Sequence, residues 1–253
     1  AGPAFNSALA ALPTLIDNIG NQQAGMILVP AGVYSVSTAI NLNPGGAIVN
    51  AVFLGAGRNA TYLKLGANID YMFKATRADN EIGHGGMYSM SLDGQMATLT
   101  SGGAFFGLPY AWTFQDLEIT NFEDYGIYLK RGVGGGGYDR IVQIRNCLLI
   151  GSNVGIRADG VNSCTVADSG IQGATTGLWL NGSMLWLVQN NGFGFPTVAG
   201  GQHVLLDAAL APNSDHQFSG NRYDVAAAIE GTAINLDGVI VAENGISTRT
   251  VNE

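Results

Sequence analysis

Phe114-Gln115-Asp116-Leu117-Glu118-Ile119 is the first copy of a phrase that recurs to the end of the chain. It runs apolar residue, any residue, a small or polar one, two more, then apolar again. Later copies start at Ile144, Val166, Val188, Phe218 and Val241. Their third positions are Asn146, Asp168, Asn190, Gly220 and Glu243, and their sixth positions are Leu149, Ile171, Phe193, Tyr223 and Ile246. Successive copies lie 30, 22, 22, 30 and 23 residues apart. A unit this short cannot bury its own apolar face and must stack on its neighbours, which predicts a β-solenoid.

A second phrase follows the first inside most units. Gly126-Ile127-Tyr128-Leu129, Gly155-Ile156-Arg157-Ala158 and Gly177-Leu178-Trp179-Leu180 are its clear copies, and His203 to Leu206 and Ala233 to Leu236 are looser ones. Apolar-outward-apolar alternation behind a glycine predicts a short strand with one buried face, entered through a tight turn. Two strands per unit is the minimum, and a third is expected. The uneven spacing is assigned to loops, such as 131–138 with its run of glycines and 207–214, because solenoids accept insertions at turns.

Composition sets limits on the function. Of 253 residues, 37 are glycine and only 12 % are charged, with a formal net charge of −8. Scarce, unclustered Lys and Arg argue against a nucleic-acid partner, since phosphate binding draws on grouped cations. No apolar run approaches the ~18 residues of a membrane span, so no membrane insertion is expected. Solenoids grow by adding coils, so residues 1–253 are read as one domain, with a capping helix at 5–20 and coils over 25–253. The start at Ala1 shows neither a charged n-region nor an apolar h-region and reads as that of a processed or trimmed piece.

Cys147 and Cys164 fall on adjacent coils but about five residues apart along them. That is roughly 16 Å at strand rise, against the ~7 Å Cα separation that a disulfide tolerates. Two free thiols are expected. Cys164 shares a column with Trp112, Val142 and Trp186 that should point into the core, and His216 falls in the same column. Asn191, Asn221 and Asn244 align as an asparagine ladder, a stability device.

The first third of the chain has its own signature. Leu9, Leu12, Leu15, Ile16 and Ile19 have the spacing of an amphipathic helix over Ser7 to Ile19, suited to capping an open solenoid end. Then come Met26-Ile27-Leu28-Val29-Pro30-Ala31-Gly32-Val33-Tyr34, Ala39-Ile40-Asn41-Leu42 and Val52-Phe53-Leu54-Gly55-Ala56-Gly57-Arg58. Pro30 ends a strand and Gly32 takes the positive φ of the turn after it. This series closely resembles the opening of pectate-lyase-like right-handed parallel β-helix proteins, a signature shared by many bacteriophage tailspikes and tail-fibre depolymerases.

The resemblance implies an all-β fold, a right-handed single-stranded parallel β-helix with an N-terminal capping α-helix, and a polysaccharide partner. It also implies homotrimeric packing and a place in a virion tail or outside the cell. The polygalacturonase catalytic series does not carry over: only Gly83-His84-Gly85 is similar, it precedes every coil that would bear the carboxylates, and it reads as a solvent-facing turn. No cofactor or metal ligand set is indicated, calcium included, since Ca²⁺ needs six to eight converging oxygens.

Laying the coils in register locates a candidate site. One outward column runs Tyr128, Arg157, Trp179, Leu205, Asn235, and its neighbour runs Lys130, Asp159, Asn181, Asp207, Asp237. Aromatic faces pack on sugar rings while charged and amide groups take hydroxyls, so Tyr128, Lys130, Trp179 and Asn181 are read as substrate-binding. Asp159 and Asp207 stand two coils apart, near 10 Å, at or just beyond the ~6.5–9.5 Å carboxylate separation of an inverting hydrolase. Arg157 is the alternative centre, stabilising a uronate while a base removes the adjacent proton. Asp116, Glu118, Glu123 and Asp124 form a second acidic group, read as a solvated turn. The expectation is a tailspike-type protein that binds and cleaves a surface glycan by hydrolysis or elimination. A non-catalytic adhesive spike and a secreted pectin- or alginate-degrading enzyme are the alternatives.

Overall fold

A computed structural model describes residues 1–12, 14–17, 20–42, 48–75, 81–82, 84–109, 111–131, 141–194, 196–198, 201–207, 209–210, 213, 215–224 and 232–235. Every strand pairing among them is parallel except that of Thr14–Asp17 with Gly20–Val29. The chain is a right-handed parallel β-helix, the hand that parallel crossovers take.

Each coil has three lanes. Phe114, Ile144, Val166, Val188 and Phe218 stack in the first, at successive registered positions. Ile119, Leu149, Ile171, Phe193 and Tyr223 stack in the second. Ile127, Ile156, Leu178, Val204 and Ile234 stack in the third. The repeated phrase is therefore lane one, a corner and lane two, and the second phrase is lane three. Its sixth copy, at Val241, lies outside the described residues.

The small residue between the first two lanes makes the corner. Asp116, Asn146, Asp168, Asn190 and Gly220 all have φ between 49° and 64°. Asx side chains accept this left-handed conformation by bonding locally, whereas a β-branched residue there would be strained. Asn146 Nδ2 also donates to Asp116 Oδ1, so the corners are tied along the axis.

The glycines heading the third lane have a different purpose from the tight turn expected of them. Gly126, Gly155 and Gly177 lie within or against strands, where a Cβ would meet the carbonyl oxygen of Gly155, Gly177 and His203 at 2.5, 2.7 and 2.6 Å. Close approach of the next coil, rather than positive φ, excludes a side chain there.

The N-terminal cap is present but earlier and shorter than its apolar spacing suggested. The helix spans Gly2–Ala10 and buries Gly2, Phe5 and Leu9. Pro13 lies outside the described residues, and Thr14–Asp17 is a strand paired antiparallel to the first coil. Proline disfavours helical backbone in the residue before it, which accounts for the helix stopping short. Phe5 lies 6.3 Å from Phe53 in the core, and Asn6 bonds the carbonyl of Ala39 and the amide of Asn41, so the helix closes the first coil.

Inside, aromatic rings run along the axis: Phe53 on Phe73 at 5.4 Å, and Phe105 on Phe114 at 4.9 Å, both edge to face. Trp112, Val142, Cys164, Trp186 and His216 form the buried column expected of them. Cys147 and Cys164 are buried and not bridged to each other, and burial pushes both thiols up to about 12. Cys147 instead heads the amide ladder: its N–H donates to Ser169 Oγ, Ser169 N–H to Asn191 Oδ1, and Asn191 N–H to Asn221 Oδ1. Asn244 lies outside the described residues.

His216 makes stability depend on pH. It is 3 % exposed, accepts from the Trp186 amide through Nδ1, and burial lowers its pKa from 6.5 to about 4. Between those values the unfolded chain binds a proton that the folded chain does not. Stability is therefore complete above pH 6.5 and falls as pH drops towards 4, by at most about 3 kcal/mol. Urea midpoints of the wild type and His216→Gln at pH 7.5 and 4.5 check this. The wild type should lose more between the two pH values than the variant, and equal losses would remove His216 as the cause.

Candidate functional site

The outward face of the third lane carries a row of rings bridged by one arginine. Tyr128, Arg157, Trp179, Leu205 and Asn235 occupy successive coils in the expected register, and so do Lys130, Asp159, Asn181 and Asp207. Asp237 lies outside the described residues. The row also extends toward the N-terminus, where Phe106 is the registered partner of Tyr128 and stacks at 4.9 Å on Tyr71. Phe106 to Tyr128 is 5.2 Å and Tyr125 to Tyr128 is 4.9 Å. At ~4.8 Å per coil, the row from Tyr71 to Trp179 covers roughly 19 Å.

Arg157 is the hub of this row. Its guanidinium carbon lies 4.3 Å from the Trp179 ring, 5.1 Å from Tyr128 and 5.6 Å from Tyr125. Nε and Nη2 donate to the two oxygens of Asp159 at 3.0 and 3.1 Å, and Nη1 donates to the Tyr125 hydroxyl at 3.0 Å. Burial works against the charge, but the Asp159 bonds and charge outweigh it and leave the guanidinium pKa raised. The arginine therefore acts as a clamp between rings, with each of its three nitrogens already donating one hydrogen bond.

Three expectations change here. Asp159 was expected on the open surface, yet it is 5 % exposed. It accepts from Arg157, from the Tyr128 hydroxyl at 2.6 Å and from Asn181 Nδ2 at 3.3 Å. Asn181, also expected to face a ligand, is 4 % exposed, and its Oδ1 takes the Leu210 amide. Both lie on the outward face, but Arg157, Tyr128 and Asn181 close round Asp159, and Leu210 bonds over Asn181. Arg157, bonded on three of its nitrogens, is likewise not a free cation for a uronate.

Trp179, Tyr128 and Asp207 stay half-buried at the surface, and Lys130 is exposed. Asp207 Oδ2 accepts from Trp179 Nε1 at 3.3 Å, and Oδ1 takes the Ala209 amide.

Beside Tyr71, where the third lane begins, lies an open cleft of about 490 Å³. Asn68, Asp70, Thr100, Ser101, Glu123 and Asp124 contribute to its walls. The acidic group seen in the sequence thus divides. Asp116 belongs to the corner ladder and Glu118 accepts from Ser91, while Glu123 and Asp124 face the cleft. Burial raises the Asp124 pKa, and neighbouring Glu123 raises it further. Lys74 pairs with Asp70 at 3.0 Å.

Tyr71, Phe106 and Tyr125 were not found from sequence. Their signal was available: extending the second phrase back one coil puts Phe105-Phe106 over Ile127-Tyr128. His84 is exposed at a bend beyond this face. No group of three or more His, Cys, Asp or Glu among the described residues is arranged to hold a metal ion. No helix among them is long and apolar enough to cross a membrane.

No family model matches the chain, and no curated protein does. Among solved structures it is similar to ORF18 of Geobacillus virus E2, with a TM-score of 0.47 and 14 % identity over 93 % of this chain and 58 % of that one. The chain thus spans under two thirds of the virus protein. Carrot pectin methylesterase gives a TM-score of 0.45 and 14 % identity over 97 % and 84 % of the two chains. The A-module of the Azotobacter vinelandii mannuronan C-5 epimerase AlgE4 gives 0.35 and 12 % over 83 % and 91 %. At these identities no residue role is taken from them.

Proposed function

We propose that this β-helix binds a polysaccharide along the row Tyr71, Phe106, Tyr125, Tyr128 and Trp179. The observation that carries the reading is the continuity of the row: Tyr71, Phe106, Tyr128 and Tyr125 follow one another at 4.9–5.2 Å, and Arg157, over both Tyr128 and Trp179, bridges the two-coil step to Trp179. An extended glycan presents CH faces at repeated intervals, and ordered aromatics meet them at little entropic cost. Arg157 and Asp159 are positioning residues that hold Tyr128, Tyr125 and Trp179 in place. Trp179→Ala is expected to weaken binding at least tenfold in affinity electrophoresis against a polysaccharide panel, with the urea midpoint nearly unchanged. Undiminished binding would remove the row from recognition.

Cleavage is a second reading, favoured by the cleft. Asp124, raised toward its protonated form beside Glu123, is an acid-base arrangement at the end of the row. Hydrolysis there predicts new reducing ends that are lost in Asp124→Asn. Asp207 is the remaining surface carboxylate of the pair first read from sequence, since Asp159 is committed to Arg157.

The biological setting we infer is a tailspike-type virion component or another extracellular protein, assembled as a homotrimer. Exposed Met26, Leu28 and Val33, at 57, 66 and 69 %, support subunit packing on the first coil. Light scattering should give about three times the 26.3 kDa chain mass. A monomer at micromolar concentration would count against the trimer.

A further inference from the structure

Resting on the glycan-binding reading above, we propose that the polymer held on this row is uncharged and that the site discriminates against polyuronates. A polyuronate carries a carboxylate on every sugar and needs cations that are free to meet them. Arg157, the cation inside the row, spends Nε and Nη2 on Asp159 and Nη1 on Tyr125, and its face is stacked on Trp179. Lys74, at the row's other end, is paired with Asp70.

The groups that border the row are three carboxylates against one exposed lysine, Lys130. Glu123 and Asp124 face the cleft next to Tyr71 and Tyr125, and Asp207 flanks Trp179. Glu123 takes one amide, that of Ser101 at 3.2 Å, which leaves further lone pairs for hydroxyl donors. Sugar hydroxyls donate to carboxylates, whereas a uronate within a Debye length of about 8 Å is repelled by them. The formal net charge of −8 adds to that repulsion at distance. Lys130, on the coil of Tyr128 and in register with Asp159, and Arg131 after it are exposed and are the cations by which a uronate would have to be held.

A matched pair of polymers tests this with the full chain. Polygalacturonate and its carboxyl-reduced product share a backbone and differ only in carboxylate against hydroxymethyl. Alginate and its reduced product form a second pair, and neutral glucans and mannans complete the panel. At 20 mM salt the reduced or neutral polymers should bind at least about tenfold more tightly than the uronates. The gap should narrow at 300 mM salt and in Glu123→Gln/Asp124→Asn, because its origin is repulsion. Polyuronate binding as tight as that of its reduced partner, dependent on Trp179 and lost in Lys130→Ala, would overturn the proposal. Failure of every polymer, charged or neutral, or binding indifferent to Trp179→Ala, would bring down the glycan-binding reading itself.

Discussion

Asp159→Ala is expected to lower the unfolding free energy by about 3 kcal/mol, the low end of what removing one partner of a buried ion pair costs. The charge left behind is Arg157, whose side chain is only 19 % exposed and which packs between three aromatic rings. Tyr128 also loses the acceptor of its 2.6 Å hydrogen bond. Asp159→Asn keeps an acceptor in place and removes the charge, so its loss should be smaller. Urea unfolding at pH 7 decides the matter. A change below about 1 kcal/mol would rank the pair with surface salt bridges and contradict its burial. The same variant should weaken glycan binding, because the rings lose the clamp that orders them, and a variant that binds normally would separate the clamp from recognition.

The second large effect is in the core. Trp112→Ala and Trp186→Ala should each cost about 3–5 kcal/mol, as large cavities do. Replacement by phenylalanine should separate them. Trp186 Nε1 donates to the Val161 carbonyl at 2.7 Å, while Trp112 Nε1 is buried without a hydrogen-bond partner. Trp186→Phe thus strands a buried carbonyl, at roughly 1–3 kcal/mol, while Trp112→Phe relieves a donor that was never met. The former should be the more destabilising, and the reverse order in urea midpoints would show that ring volume, rather than the indole N–H, dominates at both sites.

These two sites mark how far the sequence can be read. Trp112, Cys164 and Trp186 were separated as core by register alone, because in a stacked solenoid the period assigns every position a column and every column a side. The same logic placed Tyr128, Arg157 and Trp179 on one outward strip. It did not extend to Asp159 and Asn181, because register says which way a side chain leaves the sheet and not what lies over it. Tyr128 from the preceding coil and Arg157 from the same strand close over Asp159, and Leu210 closes over Asn181. The helix at Gly2–Ala10 was displaced for a similar reason: Leu12 to Ile19 keep a helical apolar spacing, but Pro13 and pairing with the first coil override it.

The sequence by itself determined the coil, its columns, the absence of a Cys147–Cys164 bridge and the face on which rings collect, since all of these follow from a period. Only the tertiary structure decided that the arginine and the aspartate on that face bind each other, that the rings continue to Tyr71, and that Glu123 and Asp124 open on a cleft. Reach and rotamer set these contacts: spacing puts Arg157 and Asp159 on one strand without saying that they pair, and the rings and the cleft are assembled from different coils.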